Sequence, residues 1–225
     1  TTGVYSIKII FVKQAIKILM IKCNVTICGS VSRQAQVRTN KEGKSFVSMG
    51  VNVIIPAKSG INKTVEISVA KDGNTTDEFS NSVIGSRIEV TGILTFHKKG
   101  EILYLNLAAI GVNTFNAGNN DFIKGDMEFR GTLGNKIEGK NDKKGNPYLT
   151  FSAFSTEKNG EEFAFTWIRF MKFGESPKEW MKPKVSIEVK GELQLGVYNN
   201  QLDIACNVSE LKEYEKPPYT PNTNQ

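Results

Sequence analysis

One segment of the chain combines flat rings with cations on a single face. In Trp167-Ile168-Arg169-Phe170-Met171-Lys172-Phe173, a period of two sends Ile168 and Phe170 one way and Trp167 and Arg169 the other. In the segment before it, Leu149, Phe151 and Ala153 read as a core register. That register leaves Tyr148, Thr150, Ser152 and Phe154 facing outward. Outward Tyr148 and Phe154 have no packing reason to be there. Aromatic side chains among Lys and Arg can stack on nucleobases while the cations meet phosphate. Stacking is worth about 1–3 kcal/mol per base and tolerates any sequence, since every base has a π-face. Lys172 and the turn residues Lys143 and Lys144 would add charge, although Lys143 and Lys144 also fit an ordinary solvated turn.

Other rings read differently. Trp180 and its counterpart Phe79 look like barrel-filling core. Phe163 and Phe165 look like cover for a sheet edge or an interface, and Trp167 could itself be half-buried under a helix or between barrels. Catalysis finds no support. His97 is the single histidine and reads as a loop residue, and no Gly-x-x-x-x-Gly-Lys loop is present. Cys23, Cys28 and Cys206 form no Cys-x-x-Cys pair and read as buried small side chains, so neither a metal nor a cofactor is expected. The carboxylates show no paired spacing. The net charge is +6, but residues 1–22 hold four Lys and no acid, and residues 126–225 are close to neutral. Local placement of charge must therefore carry any argument about a polyanionic partner.

The elements that position these residues occur twice. GSVSRQAQVRTNKEGKSFVSMGV at 29–51 returns as GTLGNKIEGKNDKKGNPYLTFSA at 131–153, with Gly29 and Gly43 each matched 102 residues later. RIEVTG at 87–92 returns as SIEVKG at 186–191, 99 residues later, so the second copy is three residues shorter. A period of this length means tandem globular domains rather than a solenoid. In the second copy strands are expected at 127–133, 148–155, 163–173, 185–195 and 201–208. A hairpin turn at 157–161 is centred on Asn159-Gly160, and a short helix is expected over Ser176–Met181. The first copy follows the same order: strands at 25–31, 46–53, 64–70, 87–95 and 102–110, with a short turn at 77–82.

Three strands, a short helix and two strands is the order of an OB-fold. The expected fold is all-β: two tandem OB-folds, five-stranded Greek-key barrels, each with a short helix between strands three and four. The expected divisions are an amino-terminal extension at 1–22, domains at 23–113 and 126–214, a linker at 114–125, and a disordered tail at 215–225. Within the extension, residues 1–19 could be an amphipathic membrane-surface helix or an upstream addition before Met20; interrupting lysines argue against a span.

The copies differ at the candidate site. The first has Phe46 outward on its second strand, but Glu66 and Ser68 are expected where the second has Phe165 and Trp167. Its loops are more basic, with Arg33, Arg38, Lys41 and Lys44 early and His97, Lys98 and Lys99 late. The expectation is a division of labour. The second barrel stacks bases; the first contributes backbone contacts through its cations, or mainly dimer packing.

The chain resembles the bacterial and phage single-stranded DNA-binding protein family. Gly29-x-Val31, Gln36-Val37-Arg38 and Gly43 look like that family's opening strand and first loop. Trp167-Ile168-Arg169-Phe170 through Gly174 looks like its third strand, and the Ile-Glu-Val-x-Gly of both copies like its fourth. The resemblance implies sequence-tolerant, non-catalytic binding of single-stranded DNA in replication, recombination or repair. It implies that Trp167 and Phe173 stack on bases and that Arg169 meets phosphate. Tyr198, at the closing hairpin, joins the candidate contacts. It further implies a cytoplasmic protein of a bacterium or phage-infected host, without membrane association. Replication or recombination proteins are possible partners. No acid follows Glu215, so the acidic tip usual in that family is not expected here. Two barrels per chain suggest that a homodimer supplies four. An OB-fold adaptor that binds protein, or a single-stranded RNA binder, is the alternative.

Overall fold

In the computed structural model, residues 21–58, 60–114, 117–159 and 161–215 are described. Nearly all of the amino-terminal extension, the tail from Lys216 and Gly160 of the expected hairpin turn lie outside them.

The alternating segments all form strands, and the described chain is all-β. The first half contributes β1 (Ile21–Thr39), β2 (Ser45–Ile55), β3 (Lys63–Asp72), β4 (Arg87–Lys99) and β5 (Ile102–Asn113). The second contributes β6 (Phe122–Asn141), β7 (Pro147–Asn159), β8 (Glu162–Phe173), β9 (Ser186–Tyr198) and β10 (Gln201–Glu213). In each half the pairings close a circuit: β1–β2–β3–β5–β4–β1 and β6–β7–β8–β10–β9–β6. β3–β5 and β8–β10 are the parallel contacts that complete these circuits.

The long first strand of each half serves two neighbours in turn. Residues 23–30 of β1 pair with β4, and residues 30–39 pair with β2 across two register shifts. At the bend a Cβ on Gly29 would collide with the Asn52 carbonyl oxygen, and one on Gly131 would collide with that of Phe154. The repeated glycine is thus a close approach of backbones, needed once per circuit. The turn that follows is duplicated as well. Asn40 Oδ1 accepts the N–H groups of Glu42 and Lys44; Asp142 Oδ1 accepts those of Lys144 and Asn146.

The expected helices differ from what forms. The first half has a single 3-10 turn, Asp77–Phe79, whose Phe79 is buried. Ser176–Met181 is not helical; Met181 N–H donates to the Lys178 carbonyl at 2.9 Å, closing one turn. Pro183 follows two residues after Met181 and Lys184 takes φ 73°, so no run of helical hydrogen bonds can extend. Met181 is buried and Trp180 half-buried against the core, in the filling role expected for Trp180.

The two circuits are sewn into one ten-stranded sheet by β1 and β6, antiparallel from Ile21↔Phe129 to Cys28↔Phe122. Cys23, Val25, Ile27, Ile123 and Met127 are buried on one side of this ladder. Asn24, Lys124, Asp126 and Glu128 are exposed on the other. A slip of one residue would exchange the two sets, so burial fixes the register. Gly125 faces Val25, and a Cβ there would collide with the Asn24 carbonyl oxygen. The end of the expected linker is therefore strand. The residues just before it are held too. Asp121 accepts hydrogen bonds from Arg87 and from the Ile54 N–H (2.7 Å), and the Gly118 carbonyl accepts Arg87 Nε–H at 3.0 Å. Two reciprocal contacts brace the halves: His97 Nδ1 with Glu157 Oε2 at 2.8 Å, and Lys63 Nζ with the Asn200 carbonyl at 2.9 Å.

Two outcomes test this account. Gly125→Val should cost about 1–3 kcal/mol and weaken amide exchange protection along Val25–Cys28 and Lys124–Met127 first; unchanged melting and protection would contradict the seam. Glu188 is held below the usual carboxylate range by a hydrogen bond from Lys212, reinforced by Arg130 and opposed by burial. Its contribution is full above the unfolded carboxyl value and is lost as pH falls toward the folded one. Glu188→Gln should lower stability at neutral pH and flatten the acid limb of melting temperature against pH; an unaltered acid limb would contradict it.

Candidate nucleic-acid interface

The outer face of β7 and β8 carries a line of rings. Cross-strand pairing sets Tyr148 beside Phe173, Ser152 beside Arg169, Phe154 beside Trp167, Thr156 beside Phe165 and Lys158 beside Phe163. Ten residues separate Phe163 from Phe173, which is about 33 Å of strand. Trp167 is 54% exposed, Phe173 64%, Phe163 59% and Phe165 45%. The rings support one another. Phe154 lies 4.9 Å from Trp167 and meets Phe165 edge-on at 5.5 Å, while Tyr148 and Phe173 are 6.2 Å apart. Beneath them, Phe170 packs against Phe129 and Phe151 at 5.0 and 4.9 Å, a rigid aromatic floor.

Trp167 owes its position to a missing side chain. It lies over Gly134, where a Cβ would stand 2.8 Å from Cζ3. The first half has Ser32 at that place. Asn52 and Phe154 are equivalent and pair with Glu66 and Trp167, so Glu66 stands where Trp167 does, and Ser68 where Arg169 does. This corrects the expected match of Glu66 with Phe165 by two residues. Of the three residues lost in the second copy, one falls between strands two and three. The other two fall between strands three and four. The first-half site is a closed polar cluster: Glu66 accepts Ser32 Oγ–H at 3.1 Å and pairs with Arg33 Nη1 at 3.0 Å.

Most of the expected cations are already engaged. Arg169 grips Asp203 with two donors, Nε at 3.0 Å and Nη2, and the hydrogen bond to Asp203 raises its pKa. Lys172 is turned away from the ring face. It donates to the Ser209 carbonyl at 2.7 Å and lies 3.5 Å from Glu175. Its even number puts it in the register of Ile168 and Phe170. Lys44 pairs with Asp72 at 2.6 Å, beside half-buried Phe46. Arg38 is exposed and reaches Gln36 Oε1 at 3.4 Å. Lys143 and Lys144 are exposed at the β6–β7 turn. Lys99 is exposed and Lys98 half-buried at the β4–β5 hairpin. Tyr198, 71% exposed, crowns the β9–β10 hairpin, whose Asn199 and Asn200 take φ 48° and 58°. Beside the first-half strands lies an open groove of about 570 Å³, lined by Lys44, Phe46, Ala70, Ala108 and Ile110 among others.

The sequence reading passed over Phe163 and Phe165 as site residues, although they share the odd-numbered register of Trp167. It also missed Gly134 and Asp203, whose roles follow from cross-strand neighbours. Burial pushes the thiols of Cys23 and Cys206 up to about 12, so they stay protonated and inert. Among the described residues no cluster could hold a metal ion, and no helix is long and apolar enough to cross a membrane.

No family model and no curated protein matches the chain. Among solved structures it is similar to the single-stranded DNA binding protein from Thermus aquaticus, at 13% identity over 89% of this chain and 96% of that one, TM-score 0.43. It is similar to the protein PriB from Ralstonia solanacearum, at 13% identity over 40% of this chain and 97% of that one, TM-score 0.31. It is also similar to the mitochondrial single-stranded DNA binding protein Rim1 from S. cerevisiae, at 13% identity over 41% of this chain and 96% of that one, TM-score 0.30.

Proposed function

We propose that the chain is a pair of tandem OB-fold domains, 23–113 and 126–214, that binds single-stranded DNA without sequence preference and without catalysis. One observation carries the reading: Phe163, Phe165, Trp167 and Phe173 are exposed along one strand pair, with half-buried Phe154 and Tyr148 packed beside them. A run of solvent-facing rings of that length is costly in water unless a ligand covers it. A strand of unpaired bases offers a succession of flat apolar faces. Duplex DNA hides those faces in its stack and cannot use the surface.

Stacking rather than charge dominates this site, because Arg169 and Lys172 are held by internal partners. The first half keeps the accessory role: its equivalent face is polar, and Arg38, Lys98 and Lys99 with Lys143 and Lys144 of the second half supply phosphate contacts. Service in replication, recombination or repair, as a cytoplasmic homodimer that shields exposed strands, completes the proposal.

Tryptophan fluorescence of the Trp180→Phe chain, in which Trp167 alone reports, tests it with a dT oligomer of about 30 nucleotides, long enough for two OB-folds. Single strand should quench and duplex should not. Trp167→Ala should weaken binding by about 1–3 kcal/mol with the fold intact. Gly134→Val should weaken it by tilting Trp167 off the sheet, and Phe46→Ala should change little. An absence of both quenching and binding at low salt would sink the proposal and give the aromatic face to a protein partner. A matching RNA oligomer that bound more tightly would move the substrate to RNA.

A further inference from the structure

Arg169 stands mid-face, two residues after Trp167 and four before Phe173, yet one edge of its planar fork is already occupied. Asp203 on β10 takes Nε at 3.0 Å and Nη2 as well, from a strand that runs parallel to β8 with Ala205 opposite Arg169. The guanidinium side chain is 66% exposed and the carboxylate 25%. A carboxylate in this pose presents two oxygens to the fork, as the two non-bridging oxygens of a phosphodiester would. Both cannot occupy the same edge. An incoming phosphate must displace Asp203 or accept the remaining Nη1 and Nη2 donors beside a like charge.

We propose that Asp203 is a built-in phosphate mimic that competes with nucleic acid for Arg169 and so limits how tightly the aromatic face holds a strand. This rests on the single-strand-binding reading above. Two opposing effects of Asp203 have to be weighed. It holds Arg169 in a fixed rotamer, which favours binding, and it adds negative charge beside the strand, which opposes it. An exposed ion pair contributes little orientation that a neutral acceptor could not supply. An asparagine there keeps an oxygen for Nε–H and loses the charge, so competition is the larger effect.

Asp203→Asn should bind the dT oligomer about three- to tenfold more tightly at fixed moderate salt. Its plot of log affinity against log salt should steepen by about one phosphate contact. In the Arg169→Ala background the same substitution should change affinity by less than about twofold, since the competition acts through that guanidinium. Asp203→Ser, with melting temperature followed for both variants, guards against a folding defect. Unchanged or weaker binding by folded Asp203→Asn and Asp203→Ser would overturn the proposal. An equal gain in the Arg169→Ala background would overturn it too, because a general field effect would then suffice. If the unsubstituted chain fails to bind the oligomer at low salt, the single-strand reading fails and the proposal falls with it. That outcome is distinct from binding that ignores Asp203.

Discussion

The ladder between β1 and β6 decides where the second half can sit. Residues 23–28 of β1 are bonded on both edges, to β4 and to β6, and residues 126–129 of β6 are likewise bonded to β1 and β9. Four central strands thus form one continuous sheet, with the apolar side of every one turned to the same core. Gly125 is the point at which the chain gains this register. A side chain there would push the strands apart just where the connection from the first half enters β6. The braces at His97–Glu157 and Lys63–Asn200 relate the halves reciprocally, each late hairpin meeting the other half's second or third strand.

Duplication left two equivalent faces, and small changes at matched positions gave them different chemistry. In the first half Ser32 and Arg33 close on Glu66 through a hydrogen bond and an ion pair, with Asn52 its cross-strand neighbour. In the second, Gly134, Phe154 and Trp167 occupy the matching positions for Ser32, Asn52 and Glu66 and leave rings facing solvent. Glycine in place of serine is what lets a ring lie on the sheet. The first face satisfies its own polar groups and needs no ligand, whereas the second leaves apolar surface for something else to cover.

Much of this was legible in the residues. The repeat shows in matched segments about 100 residues apart, and the ten strands with the outward placement of Trp167, Arg169 and Tyr148 follow from period-two alternation, which is a local signal. The misjudged features depend on distant neighbours. The helix expected over Ser176–Met181 had a Ser cap and Pro177 at its first position, but Pro183 and Lys184 end it within a turn. Lys172 reads as added charge beside Arg169, yet its register turns it to the Ser209 carbonyl. The ion pairs of Arg33, Lys44 and Arg169 join residues 33, 28 and 34 positions apart. No spacing rule reaches that far. The seam itself was invisible for the same reason, since a stretch rich in Asn and Gly looks like a linker until β1 is placed beside it.

The central claim is that one strand pair of one half holds the nucleic acid. Photocrosslinking of an iodouracil-substituted dT oligomer to the intact chain, followed by mass-spectrometric mapping of the modified peptides, tests it most directly. The account predicts adducts concentrated on β7 and β8, at Phe154, Phe165, Trp167 and the Tyr148–Phe173 pair. Adducts spread equally over β2 and β3 of the first half, or centred there, would contradict it.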